Sequence, residues 1–85
     1  MSVSLNVMYF AWLRERIGVS SEAVETTAAT VSELIDELAA REERYAVAFQ
    51  DLSVIKVAVD QVMVDFSTPL KGANEVAFFP PMTGG

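Results

Sequence analysis

Apolar and polar residues alternate from the start of the chain. Val3, Leu5, Val7 and Tyr9 interleave with Ser4, Asn6, Met8 and Phe10, a period of two that predicts a strand with one apolar face. The other face turns apolar only at Met8 and Phe10, which fits either a partner-facing patch or two residues covered by the loop that follows. Phe10, Leu13 and Ile17 then recur one helical turn apart, predicting a short helix over 11–17. Gly18 is its natural stop, because a helix C′ position favours a left-handed residue. Arg14, Glu15 and Arg16 form the solvated face of that helix. Residues 21–27 alternate weakly and read as a second strand returning beside the first.

The clearest helix begins at Thr30. Thr30 and Glu33 have the T-x-x-E spacing of a capping box, in which each side chain satisfies a backbone donor left over at a helix start. Val31, Leu34, Ile35 and Leu38 follow at i, i+3, i+4 and i+7, with Ala39 extending the stripe. Glu33, Asp36 and Glu37 lie off it, and Arg41 near the end suits the negative pole of the helix dipole. Residues 42–52 read as a charged connection in which Tyr45, Val47 and Phe49 form a short extended piece. A strand over 54–59 has Ile55, Val57 and Val59 on one face and Lys56 on the other. Asp60-Gln61 turns it into Val62–Val64, residues 67–72 form a turn region, and Glu75–Phe79 is the last strand. In that strand Val76 and Phe78 share one face, Ala77 and Phe79 the other. The order is strand, strand, helix, strand, short strand, strand. This predicts an α+β domain over 1–85, one mixed sheet folded around one main helix.

Eighty-five residues, 52% of them hydrophobic, suffice for one small core and not two. No apolar run approaches the roughly 20 residues needed to cross a bilayer. No basic-then-apolar leader opens the chain, so the expected compartment is the cytoplasm. The net charge of −6 and the lack of a basic stripe argue against nucleic acid and anionic membrane as partners. That acidity serves solubility or steering toward basic proteins. The chain has no Cys and no His, which removes cysteine nucleophiles, disulfides, thiolate metal sites and Ser-His triads from it. No metal site is expected, and no cofactor.

The chain ends Phe78-Phe79-Pro80-Pro81-Met82-Thr83-Gly84-Gly85. Proline fixes φ and lacks an N–H, so Pro80 and Pro81 end sheet pairing and direct residues 80–85 outward as a protruding tail. Gly84 and Gly85 carry no Cβ and can thread a channel too narrow for other residues. Phe79 falls on the face opposite Phe78 and is predicted to contact a partner. The terminal carboxylate, with an ordinary pKa of about 3.3–3.7, is an anion at neutral pH and a poor electrophile. Chemistry there requires activation, most simply adenylation. The four glycines do not have phosphate-loop spacing, so ATP must be bound by another protein.

Thr68-Pro69-Leu70, Gly72, Glu75-Val76-Ala77-Phe78-Phe79-Pro80-Pro81 and Gly84-Gly85 together resemble the C-terminal signature of the small sulfur-carrier subunits of molybdopterin synthase. Tyr9-Phe10-Ala11, Leu13-Arg14-Glu15 and Gly18 extend the resemblance more weakly. Met82 stands where that family usually has a smaller β-branched residue, and Ala73-Asn74 replaces a more typical Gly-Asp; both bear on partner fit.

The resemblance implies a ubiquitin-like β-grasp fold with the first and last strands side by side in the centre. It implies that Gly85 is adenylated by a partner enzyme, converted to a thiocarboxylate, and inserted into the large synthase subunit. There it would give sulfur to a cyclic pyranopterin monophosphate, with the acid–base residues on the large subunit and the two subunits forming a heterotetramer. Phe79, Pro80, Pro81, Met82, Thr83 and Gly84 would then be partner-binding residues and Gly85 the reacting group. The same terminal chemistry would serve thiazole synthesis, tRNA thiolation or a ubiquitin-like modifier that forms isopeptide bonds. A non-catalytic binding module would tolerate residues added after Gly85.

Overall fold

The computed structural model describes residues 2–81. Five strands form one mixed sheet in the order β2-β1-β5-β3-β4. β1 (Val3–Tyr9) runs antiparallel to β2 (Ser21–Thr26) and parallel to β5 (Glu75–Phe79). β3 (Lys56–Val59) is antiparallel both to β5 and to β4 (Val62–Val64). The first and last strands of the chain therefore lie together in the centre. This is the strand order of the expected ubiquitin-like β-grasp fold.

One face of the sheet carries the helices. Leu5, Val7 and Tyr9 from β1, Val24 from β2, Val57 from β3, and Val76 and Phe78 from β5 all point to it and are buried. α2 (Val31–Arg41) lays Val31, Leu34, Ile35 and Leu38 against them, the four positions its periodicity singles out. Burying such side chains is worth roughly 1.5–3 kcal/mol each, so this stripe accounts for much of the stability of α2.

The start of α2 is fixed from two directions. Thr30 accepts a hydrogen bond from the Glu33 N–H at 3.2 Å, as the capping-box spacing predicts. The reciprocal bond goes one residue further out, from Ala29 N–H to the Glu33 carboxylate at 3.4 Å. Two further donors of the first turn are taken by the loop before β5, Val31 N–H by Thr68 and Ser32 N–H by Phe66. The turn region thus ties the helix to the sheet.

Two expectations are corrected. Residues 42–52 are not an extended connection, because Glu43–Ala48 form a helix, α3. Tyr45, Ala48 and Phe49 are buried at helical spacing while Val47 is exposed, so the Tyr45-Val47-Phe49 alternation is coincidental. The third strand begins at Lys56 rather than 54, since Leu52–Val54 form a 3-10 turn whose Ser53 N–H is capped by Asp51. Among the described residues the main helix α2 is accompanied by the expected short helix α1 (Trp12–Ile17) and by α3. α1 and α3 sit together at one end, where Arg44 donates to the Ile17 carbonyl at the end of α1. Gly18 stops α1 with φ 98°, as predicted.

Candidate functional site

The last strand delivers the C-terminal segment to a fixed point. Phe78 is fully buried, its ring stacked near that of Tyr9 and edge-on to Phe49 at 5.0 Å between centroids. Its backbone is held on both sides, with Phe78 paired to Tyr9 on β1 and to Val57 on β3. Its carbonyl accepts a hydrogen bond from the Phe10 N–H at 3.1 Å. Phe79, the next residue, pairs with Lys56 and turns to the helix-free face, where it is half-buried. Pro80 and Pro81 are also half-buried, so the tail begins against the body of the domain. Met82, Thr83, Gly84 and Gly85 lie outside the described residues.

Around Phe79 the open face is apolar. The sheet register lines up Met8 of β1, Ala77 of β5, Ala58 of β3 and Met63 of β4 as one row across four strands. Met63 is 64% exposed and Phe10, at the end of β1, is 43% exposed. A helix-free sheet face with this many apolar side chains beside a strand end has the character of a docking surface. Sequence periodicity marks Met8, Phe10 and Phe79 for this face. It passes over Met63, because a three-residue strand is too short to show alternation.

Phe10 is brought there by an unusual backbone. Ala11 has φ 55° and ψ −132°, a region that a residue with a Cβ occupies only under strain. It turns the chain sharply from β1 into α1, leaving Phe10 outside and Leu13 in the core.

Behind the exit, the helix-covered side carries a polar clasp. The Glu22 carboxylate on β2 accepts hydrogen bonds from Tyr9 at 2.8 Å and Tyr45 at 2.7 Å, joining β2, β1 and α3 through one oxygen. Burial, then the bond to Glu22 and its charge, push the Tyr45 hydroxyl up to about 12 and the Tyr9 hydroxyl higher still. Both phenols stay neutral donors at any physiological pH. Their role is to fix the Tyr9 ring under Phe78.

A separate cleft of about 430 Å³ between α1, α3 and the 3-10 turn is lined by Trp12, Arg16, Val47 and Val54 among others. Among the described residues neither Phe79, Pro80 nor Pro81 lines it. Among the described residues, no group of three or more His, Cys, Asp or Glu is arranged to hold a metal ion. No helix among them is long and apolar enough to cross a membrane.

The model of the ThiS family matches residues 7–85. A molybdopterin synthase sulfur carrier subunit from Escherichia coli is 41% identical, the match covering 95% of this chain and 99% of that protein. Among solved structures, SAMP1 from Haloferax volcanii superposes with a TM-score of 0.76 at 26% identity, covering 98% of this chain and all of the other. Subunit 1 of the molybdopterin-converting factor from Helicobacter pylori, in complex with subunit 2, gives a TM-score of 0.62 at 25% identity, over 98% of this chain and 100% of that one. The match over almost the whole length includes the paired aromatics, the prolines and the terminal glycines, and the chain belongs to the ThiS family.

Proposed function

We propose that this chain is the sulfur-carrying small subunit of a molybdopterin synthase, with Gly85 as the reacting residue. The observation that carries the reading is the placement of β5. A central strand, locked at Phe78, hands the chain at Pro80 to the edge of an apolar docking face. That geometry suits a chain end to be inserted into another protein, because an entropically restrained lead-in lowers the cost of placing the reacting carbon. The relative from Escherichia coli carries the name of such a subunit, and the relative from Helicobacter pylori is found in complex with its subunit 2.

In this reading a partner enzyme that binds ATP joins the Gly85 carboxylate to AMP and releases pyrophosphate. A sulfur nucleophile then displaces AMP and leaves a thiocarboxylate. Within the large subunit the sulfur forms a bond to a carbon of the cyclic pyranopterin monophosphate while a carbon–oxygen bond at that carbon breaks and the oxygen group leaves, taking up a proton. Cleavage of the acyl–sulfur bond by water returns the carboxylate. Phe79, Pro80, Pro81, Met82, Thr83 and Gly84 guide the tail, and acid–base catalysis belongs to the large subunit, so that the sulfurtransferase is the pair of proteins. The chain itself needs no cofactor.

Incubation with an activating enzyme, ATP and a sulfur donor tests this. Intact mass rises by one oxygen-for-sulfur exchange, and fragmentation places it on Gly85. Sulfur on an internal residue defeats the proposal. Isopeptide adducts to lysines of other proteins, with no sulfur on Gly85, turn the reading to a ubiquitin-like modifier.

A further inference from the structure

A cation stands beside the tail exit, on a face that is largely apolar there. Lys56 opens β3 and is paired in register with Phe79, so both side chains rise from the open face side by side. It is exposed. The acids of the same face lie toward the other end. Glu75 opens β5 opposite Asn6, and Glu25 on β2 is paired with Ser4. Four residues along β5 separate Glu75 from Phe79, roughly 13 Å at strand rise. That exceeds the Debye length of about 8 Å at physiological salt, so those acids do little to neutralise Lys56. Asp65, just beyond β4, is closer and lines the same cleft as Lys56, but its carboxylate is held by the Ser67 N–H and hydroxyl and makes no ion pair with Lys56. Among the described residues the one ion pair is Arg44–Glu42, far from this face in the fold.

Among the described residues the open face therefore carries a lysine outside any ion pair at the tail, apolar side chains in the middle and acids at the far end. In a chain of twelve acidic residues and only two lysines, this placement carries information. A partner that was uniformly basic would meet Lys56 with repulsion at the very point where Phe79 docks. A partner with an acid there and basic groups over Glu75 and Glu25 fits in one orientation only.

Resting on the sulfur-carrier reading, we propose that Lys56 pairs with an acidic side chain of the large synthase subunit, at the rim of the pocket that receives Phe79, and selects that partner. The contact fixes the direction in which the tail enters.

Titration of the large subunit from the same genome against wild type, Lys56→Glu and Lys71→Glu tests this. Lys71 lies in the turn before β5, so its replacement makes the same change in net charge away from the tail exit. At low salt Lys56→Glu weakens binding by about tenfold or more, the range of a charge pair turned repulsive. At about 1 M salt, where the Debye length falls to about 3 Å, most of that difference disappears. Lys71→Glu stays within about twofold of wild type, as expected for a charge at a rim or beyond. Lys56→Gln, which removes only the charge, lies between wild type and Lys56→Glu. Unchanged thermal unfolding of the Lys56 variants excludes misfolding as the cause. Equal weakening by Lys56→Glu and Lys71→Glu, or wild-type binding by Lys56→Glu, or a loss insensitive to salt, overturns the inference while leaving the sulfur-carrier reading intact. Wild-type protein that does not bind the large subunit at all overturns that reading, and this contact with it.

Discussion

Phe78 and Phe79 are consecutive in one strand and belong to opposite sides of the protein. Phe78 is sealed between Tyr9 and Phe49 on the helix-covered face, and Phe79 stands half-buried beside Lys56 on the open face. The same side chain is therefore core at one position and faces outward at the next. Phe78→Ala is expected to cost about 3–5 kcal/mol, a large share of a small domain's stability. Phe79→Ala, with less area to lose, should cost roughly 1 kcal/mol of folding and about 2 kcal/mol of binding to the large subunit. Urea unfolding and binding titrations of the two variants read this directly. A reversed order of stabilities defeats the assignment of faces.

Extending the chain separates presentation from stability. Among the described residues the buried cluster ends at Phe78, and one alanine added after Gly85 lies well beyond it along the chain. Thermal unfolding should match wild type, while sulfur transfer is lost because the reacting carbonyl is no longer terminal. Transfer by the extended protein without trimming would count against Gly85 as the reacting residue.

The tyrosine clasp predicts a response to alkali with a definite sign. Tyr9 and Tyr45 hold their protons more tightly folded than unfolded, where a phenol titrates near 10.0. Their contribution is thus complete below about pH 10. It falls as pH rises through 10 toward 12, since the unfolded chain releases protons that the folded one keeps. Stability measured by urea unfolding should decline over that window, and more gently in Tyr45→Phe. Removing the shared acceptor with Glu22→Ala strands both hydroxyls and should cost about 1–3 kcal/mol at neutral pH. A stability that stays flat between pH 10 and 12 would show that the clasp is not formed.

Strain at Ala11 gives a substitution that stabilises. At φ 55° and ψ −132° a Cβ is costly, by roughly 1–3 kcal/mol, and glycine is free of that cost. The greater flexibility of glycine in the unfolded chain offsets about 0.4–1 kcal/mol of the gain. Ala11→Gly should therefore raise Tm by a few degrees, as about 1 kcal/mol does in a domain of this size. A lower Tm would mean that the turn from β1 into α1 is not strained.

The sequence by itself determined the elements whose periodicity is unbroken and the chemistry that absence excludes. β1, α2 and β5 lie where alternation and helical spacing place them, and the opposite facing of Phe78 and Phe79 follows from a period of two. The residues include no cysteine or histidine, which excludes thiolate and imidazole chemistry from their side chains. Tertiary structure decided the rest, because short segments take their state from what they pack against. α3 is a helix because Tyr45 reaches Glu22 and Phe49 reaches Phe78, contacts 23 and 29 residues away that no local window contains. The docking row of Met8, Ala77, Ala58 and Met63 exists only once four strands are in register, and so does the pairing of Lys56 with Phe79. Alternation assigns a side chain to a face of its own strand. Which neighbours share that face is fixed by strand order, and strand order depends on contacts between distant parts of the chain.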